Sequence, residues 1–200
     1  MADPCRRRSG RCAYTRGRPP RPAEPARATG PVPLPGLLGW SLPTAVVIPA
    51  IKVNAAVAHV RDGADGPAPA PAGEGVAGWR VPGPAPGEPG VAVLVGNRHD
   101  PAGPPSGPGV FARLAELRVG AVVGVVRADG TVAVFRVASA RQVPKAAFTA
   151  ARSPAEGERP ELRLITCAGR YDEARGAYAD DLIVYATFAA AYTLADLVGA

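Results

Sequence analysis

"ELRLITCAGRYDEARGAYADDLIVYATFAA", residues 161–190, holds two apolar runs, 161–169 and 181–190, around the polar stretch 170–180. Runs of this length, rich in Leu, Ile, Val, Tyr and Thr, read as two strands, and the polar stretch as the loop that joins them. The first carries Leu162, Leu164 and Ile165 and is expected to end at Thr166, just before Cys167 and the small pair Ala168-Gly169. A cysteine at such a strand end can present its sulfur to a groove.

Working outward, the same kind of signal recurs along the chain. "AVVIPAIKVNAAV" (residues 45–57) gives two β-rich pieces separated by Pro49, and "VAVLVG" (residues 91–96) reads as a buried strand. "AVVGVVRADGTVAVFRVASARQV" (residues 121–143) is a hairpin with Asp129-Gly130 as its turn. Trp79 stands as an apolar anchor before a Pro/Gly-rich turn region, and "GVFARLAEL" (residues 109–117) fits a short helix with Val110, Leu114 and Leu117 on one face. The sum is seven or eight short strands with one or two short helices, so a compact all-β barrel is expected. A parallel α/β sheet is disfavoured, because too few helices exist for its crossovers.

Length and charge set the boundaries. The 200 residues suit one domain. Residues 1–43 read as a disordered, Pro/Arg-rich leader and 44–200 as the barrel. Eight arginines fall within residues 1–31 against Asp3 and Glu24, while the rest of the chain is balanced in charge. The basic pI therefore belongs to the leader, and a nucleic-acid-binding role for the barrel is not expected, since its footprint would lie on the folded surface. Lysine is nearly absent from this arginine-rich chain.

Three cysteines, Cys5, Cys12 and Cys167, are too few and too scattered for a disulfide framework, and no second ligand pair accompanies Cys5 and Cys12 to make a zinc site. The apolar run "VPLPGLLGW" (residues 32–40) is short and broken by Pro33 and Pro35, whereas a membrane span needs about 20 apolar residues. The basic start resembles the first region of an export signal, but no apolar region of the proper kind follows it.

The chemistry centres on Cys167. Its bland reading is a buried small hydrophobe. As a nucleophile it needs a base or a cation at the sulfur and donors for the developing oxyanion. Of the two histidines, His59 sits within or just after an early strand and reads as structural, whereas His99 follows a strand end directly, a better place for a catalytic side chain.

The segment Leu162-Arg163-Leu164-Ile165-Thr166-Cys167 and the strand after it resemble the cysteine strand of sortases. Other segments resemble the actinobacterial class F (class E-like) group in the same order. They are "VVIPAIKVNAAV", "GWRVPGPAPGEPGVAVLVG", "GVFARLAELRVGAVVGVVRADGTVAVFRV" and "VPKAAFTA", and the likeness spans roughly residues 44–188. It implies a sortase-type closed β-barrel of about eight strands and a cysteine transpeptidase. Cys167 would attack the threonyl carbonyl of an LPxTG-like sorting signal, cleave the Thr-Gly bond through a thioacyl intermediate and pass it to an amine acceptor of the cell wall or a pilin. A histidine would act as acid and base, and an arginine would hold the oxyanion. Thr166 and Asn97 would contact substrate. No metal or organic cofactor is implied. The family works on the outer, cell-surface side of the membrane, and membrane association is implied although this chain shows no transmembrane segment.

Two positions depart from the family pattern. The histidine of the family follows the strand-ending glycine, but Gly96 is followed here by Asn97, Arg98, His99 and Asp100. Aligned from Trp79, Asn97 takes the histidine position; aligned on the His-Asp order, His99 takes it after a two-residue insertion. Only His99 preserves acid–base chemistry, and it is the preferred base. Where many relatives carry an arginine after a tyrosine at the start of the next strand, this chain has Tyr178-Ala179-Asp180-Asp181. Arg170 and Arg175 are the replacements expected to reach Cys167, and Arg163 faces either the groove or solvent. The alternatives to an active enzyme are a catalytically weak or inactive sortase-fold module that binds peptide, and an intracellular barrel with no sorting role.

Overall fold

The computed structural model describes residues 30–63, 70–71, 75–98, 108–145, 158–174 and 176–199. Eight strands form a closed barrel: β1 (Pro43–Ile48), β2 (Val53–Arg61), β3 (Val76–Val81), β4 (Gly90–Val95), β5 (Val122–Arg127), β6 (Thr131–Pro144), β7 (Pro160–Asp172) and β8 (Ala177–Thr193). Around the barrel they run β1-β2-β3-β4-β7-β8-β6-β5. Neighbours are antiparallel except β2–β3 and β4–β7, which are parallel.

The helical elements among the described residues are 3-10 turns at Pro49–Ile51 and Leu114–Glu116 and α1 (Leu194–Val198), with Lys145 also in 3-10 conformation. Pro49 breaks β1 from β2 as its missing donor demands, and Lys52 turns the corner in the left-handed region at φ 58°. The expected helix over residues 109–117 is instead a series of turns ending in one 3-10 turn. Its apolar positions still work, because Phe111, Leu114 and Leu117 are buried in the main core. A run that short has little intrinsic helicity, and packing decides its conformation.

Alternation sorts the strand residues. On β7, Leu162, Leu164 and Ala168 join Trp79, Leu94, Phe135 and others in the central core. Ile165 instead joins Val95 and Ile183 in a second apolar cluster, with Val60, Val93, Val143 and Tyr185 packed against it. This second cluster covers the outer face of β4, β7 and β8, the face to which the odd-numbered residues of β7 belong.

Residues 30–42, at the end of the expected leader, lie along the barrel. Leu34 N–H donates to the Ala191 carbonyl at 2.7 Å, and Leu38 N–H to that of Gly87 at 3.2 Å. Arg127 pins this segment from beneath. Its side chain is fully buried and donates to the carbonyls of Pro86 (2.8 Å) and Gly39, and to Asp129 at 3.1 Å. Leucine there would strand the buried Pro86 carbonyl and release the Gly39 carbonyl and the Asp129 carboxylate, so Arg127→Leu is expected to cost about 3 kcal/mol in urea unfolding. A loss below about 1 kcal/mol would show that the pin is dispensable.

Asp129 closes the β5–β6 turn by accepting from the Thr131 backbone at 3.0 Å and from its hydroxyl at 2.6 Å. Burial pushes its carboxyl up, but the Thr131 hydrogen bonds and the Arg127 charge outweigh that and hold it below its ordinary value. A depressed folded value contributes stability above the unfolded value, near pH 4, and loses it as pH falls through the folded value. The urea midpoint of Asp129→Asn is therefore expected to fall less than that of the parent between pH 5 and pH 2.5; parallel curves would refute the assignment.

Candidate active site around Cys167

Cys167 lies within β7, not at its end. The strand continues to Asp172, and Cys167 pairs with Asp181 of β8. The polar stretch 170–180 is thus largely the tip of a long β7–β8 hairpin, with Tyr171 against Tyr178 at 5.1 Å between ring centroids. Backbone pairing carries polar sequence as readily as apolar sequence once a hairpin is nucleated, which is why the loop expected there is short.

The thiol is half-buried and shares the outer face with Ile165, two residues earlier. Lys145 Nζ lies 3.7 Å from its Sγ. Asp181, buried on the neighbouring strand and engaged in contacts of its own, shares the face with Ile183. Thr166 alternates to the inner side. It is 5% exposed, and its hydroxyl has no hydrogen-bond partner. A direct substrate contact by Thr166 on the thiol's face therefore does not follow from this geometry.

Asn97 comes close to the site through strand register. β4 runs parallel to β7 as far as Val95 opposite Ile165, and Gly96 N–H donates to the Ile165 carbonyl at 3.0 Å. β4 ends at Val95; continued for two residues on each strand, its register would set Asn97 opposite Cys167. The Asn97 amide donates to the Pro71 carbonyl at 2.8 Å, tying β4 to the β2–β3 connection. Its backbone is clamped as well. Phe111 N–H donates to the Asn97 carbonyl and Gly109 N–H to that of Arg98. Gly96 permits this closure, because a Cβ there would collide with the Phe111 ring.

The guanidinium of Arg98 stacks over Tyr178, 5.4 Å from the ring centroid, so the chain leaving β4 contacts the start of β8. His99 and Arg175 lie outside the described residues. Arg170 is exposed. Arg163 is buried on the thiol's face and stacks on Tyr185 at 5.4 Å, some 13 Å along the strand from Cys167. His59 is exposed, its ring edge-on to Trp79 at 5.3 Å between centroids.

Lys145 is the residue that sequence reasoning missed. It falls in "VPKAAFTA", read only as part of a connecting loop, and its one local signal is rarity, since Lys52 is the sole other lysine. Among the described residues no cluster of His, Cys, Asp and Glu is placed to hold a metal, and no helix is long and apolar enough to cross a membrane. A cavity of about 290 Å3 beside the first 3-10 turn, lined by Ile51, Asn54, Val110 and Arg113 among others, does not include Cys167.

The family model of the sortase domain matches residues 46–189, nearly the whole barrel and most of the β7–β8 hairpin that carries Cys167. The chain belongs to the sortase family. Its barrel is similar to that of Listeria monocytogenes sortase A, with a TM-score of 0.57 at 11% identity over 76% of this chain and 93% of that one. It is also similar to sortase C of Streptococcus pneumoniae (TM-score 0.53, 19% identity, 74% and 66% covered) and sortase C-1 of Actinomyces oris (0.52, 21%, 72% and 72%). At such identities the likeness concerns the fold. No curated protein sequence matches the chain. In this sortase the exit of β4 reaches both the cysteine strand, through Gly96 and Ile165, and the start of β8, through Arg98 and Tyr178.

Proposed function

We propose that this sortase is a cysteine transpeptidase of the class F type that acts on the outer side of the membrane on an LPxTG-like sorting signal. The observation that carries the reading is the half-buried Cys167 thiol on the outer face of a sortase-domain β7, beside a lysine ammonium and next to the Val95–Ile165–Ile183 apolar patch.

In this mechanism Sγ adds to the threonyl carbonyl carbon, and the Thr-Gly bond breaks as the glycine nitrogen takes a proton from His99. The thioester is then attacked by an amine of the cell wall or a pilin. That amine gives its proton back to His99, and the sulfur leaves as thiolate. Arg170 or Arg175 would supply charge to the oxyanion. The chemistry uses protein groups alone.

A second reading, a weak or inactive peptide-binding module, is favoured by one observation: Asn97, which the continued β4–β7 register would set opposite Cys167, spends its amide on Pro71. Incubation with a Leu-Pro-x-Thr-Gly peptide, followed by intact-mass measurement, separates the two. An adduct of the peptide up to threonine on Cys167 supports the enzyme. Peptide binding with neither adduct nor cleavage would replace it with the module.

A further inference from the structure

We infer that Lys145 is the cation that holds negative charge on the Cys167 sulfur, its ammonium reaching the thiol across the intervening strand β8. The inference rests on the reading of Cys167 as the nucleophile and adds a residue to it.

The placement follows from strand order. β6, β8 and β7 are consecutive around the barrel, and Val143, Asp181 and Cys167 form one cross-strand row. Val143 packs with the outer cluster. The last β6–β8 pair is Pro144 with Asp180, and Lys145 follows directly in 3-10 conformation at the end of β6. Strands lie about 4.8 Å apart, so the step across β8 from β6 to β7 is about 10 Å, within reach of a lysine stem and its ammonium. The observed 3.7 Å from Nζ to Sγ is the outcome.

Two neighbouring cations are occupied by rings: the Arg98 guanidinium lies over Tyr178 and that of Arg163 over Tyr185. Lys145 carries a compact charge on a flexible stem and is directed at the sulfur. Asp181 is buried in the same cross-strand row, opposite Cys167 and Val143. A thiolate beside a lysine is the reactive form of the residue.

The test measures alkylation of Cys167 by iodoacetamide at pH 7, followed by peptide mapping so that Cys5 and Cys12 do not contribute. In about 10 mM salt, Lys145→Gln is expected to react about five- to tenfold more slowly than the parent, and Lys145→Arg within about twofold of it. The pair is exposed to solvent, so in about 1 M salt the gap between Lys145→Gln and the parent should shrink to about twofold. Equal rates for Lys145→Gln and the parent at low salt would overturn the inference. So would a gap that salt leaves unchanged, which would mark a steric effect, or a Lys145→Arg rate as slow as that of Lys145→Gln. The readout needs no sorting signal, so its failure and that of the transpeptidase reading are separable. Absence of a peptide adduct removes the enzyme and leaves the lysine–thiol pair to this measurement.

Discussion

Cys167→Ala is expected to abolish both the acyl adduct and transfer to an amine acceptor, a fall of about 10³-fold or more. Thr166 on one side is buried with an inward hydroxyl, and Ala168 on the other is a core residue, so neither chain neighbour offers a substitute nucleophile. Cys167 is half-exposed and small, so alanine should leave the barrel intact, with an unfolding midpoint close to that of the parent. Peptide cleavage surviving in Cys167→Ala at the parent rate would sink the assignment. Loss of cleavage together with unfolding would be read from Cys167→Ser instead, which keeps the size of the side chain.

His99→Gln is expected to lower transpeptidation about 10²–10⁴-fold, the usual range for losing a general acid–base. Gln keeps hydrogen-bonding capacity but cannot exchange a proton near neutral pH, so the loss isolates proton transfer. Asn97→Ala should behave differently. It frees the Pro71 carbonyl and loosens the tie between β4 and the β2–β3 connection, so it is expected to raise KM and lower stability while kcat changes little. The opposite pattern, an indifferent His99→Gln and a collapse of kcat in Asn97→Ala, would move the role to Asn97 and leave no base. Asn97→His is the matching gain test. Increased turnover from it in a His99→Gln background would show that the register position beside Cys167 is where proton transfer occurs.

Much of the barrel is legible from short-range pattern. Pro49 between two β-rich pieces, Asp129-Gly130 in a hairpin and the continuous apolar run 91–96 each carry a local cause, and the strands appear where those causes put them. The misreadings were also local in origin. Residues 109–117 have helical spacing but too few residues to hold a helix without tertiary help, and they became turns around Phe111. The polar stretch 170–180 lacks apolar alternation, yet backbone pairing does not need it, so β7 and β8 run on through it and Cys167 sits inside a strand.

The sequence by itself determined that this is an all-β chain of the sortase family with one cysteine, Cys167, in the barrel. Those properties depend on residue type, alternation and turn chemistry, which are local along the chain. Only the tertiary structure decided what stands beside the sulfur. Lys145 meets Cys167 because β8, which comes later than both in the chain, inserts between β6 and β7 in the barrel. The exit of β4 meets the cysteine strand, Gly96 N–H on the Ile165 carbonyl, because β4 and β7 are parallel neighbours. Strand order and register come from closing one barrel over one core, so the surroundings of the thiol were fixed by pairings remote along the chain.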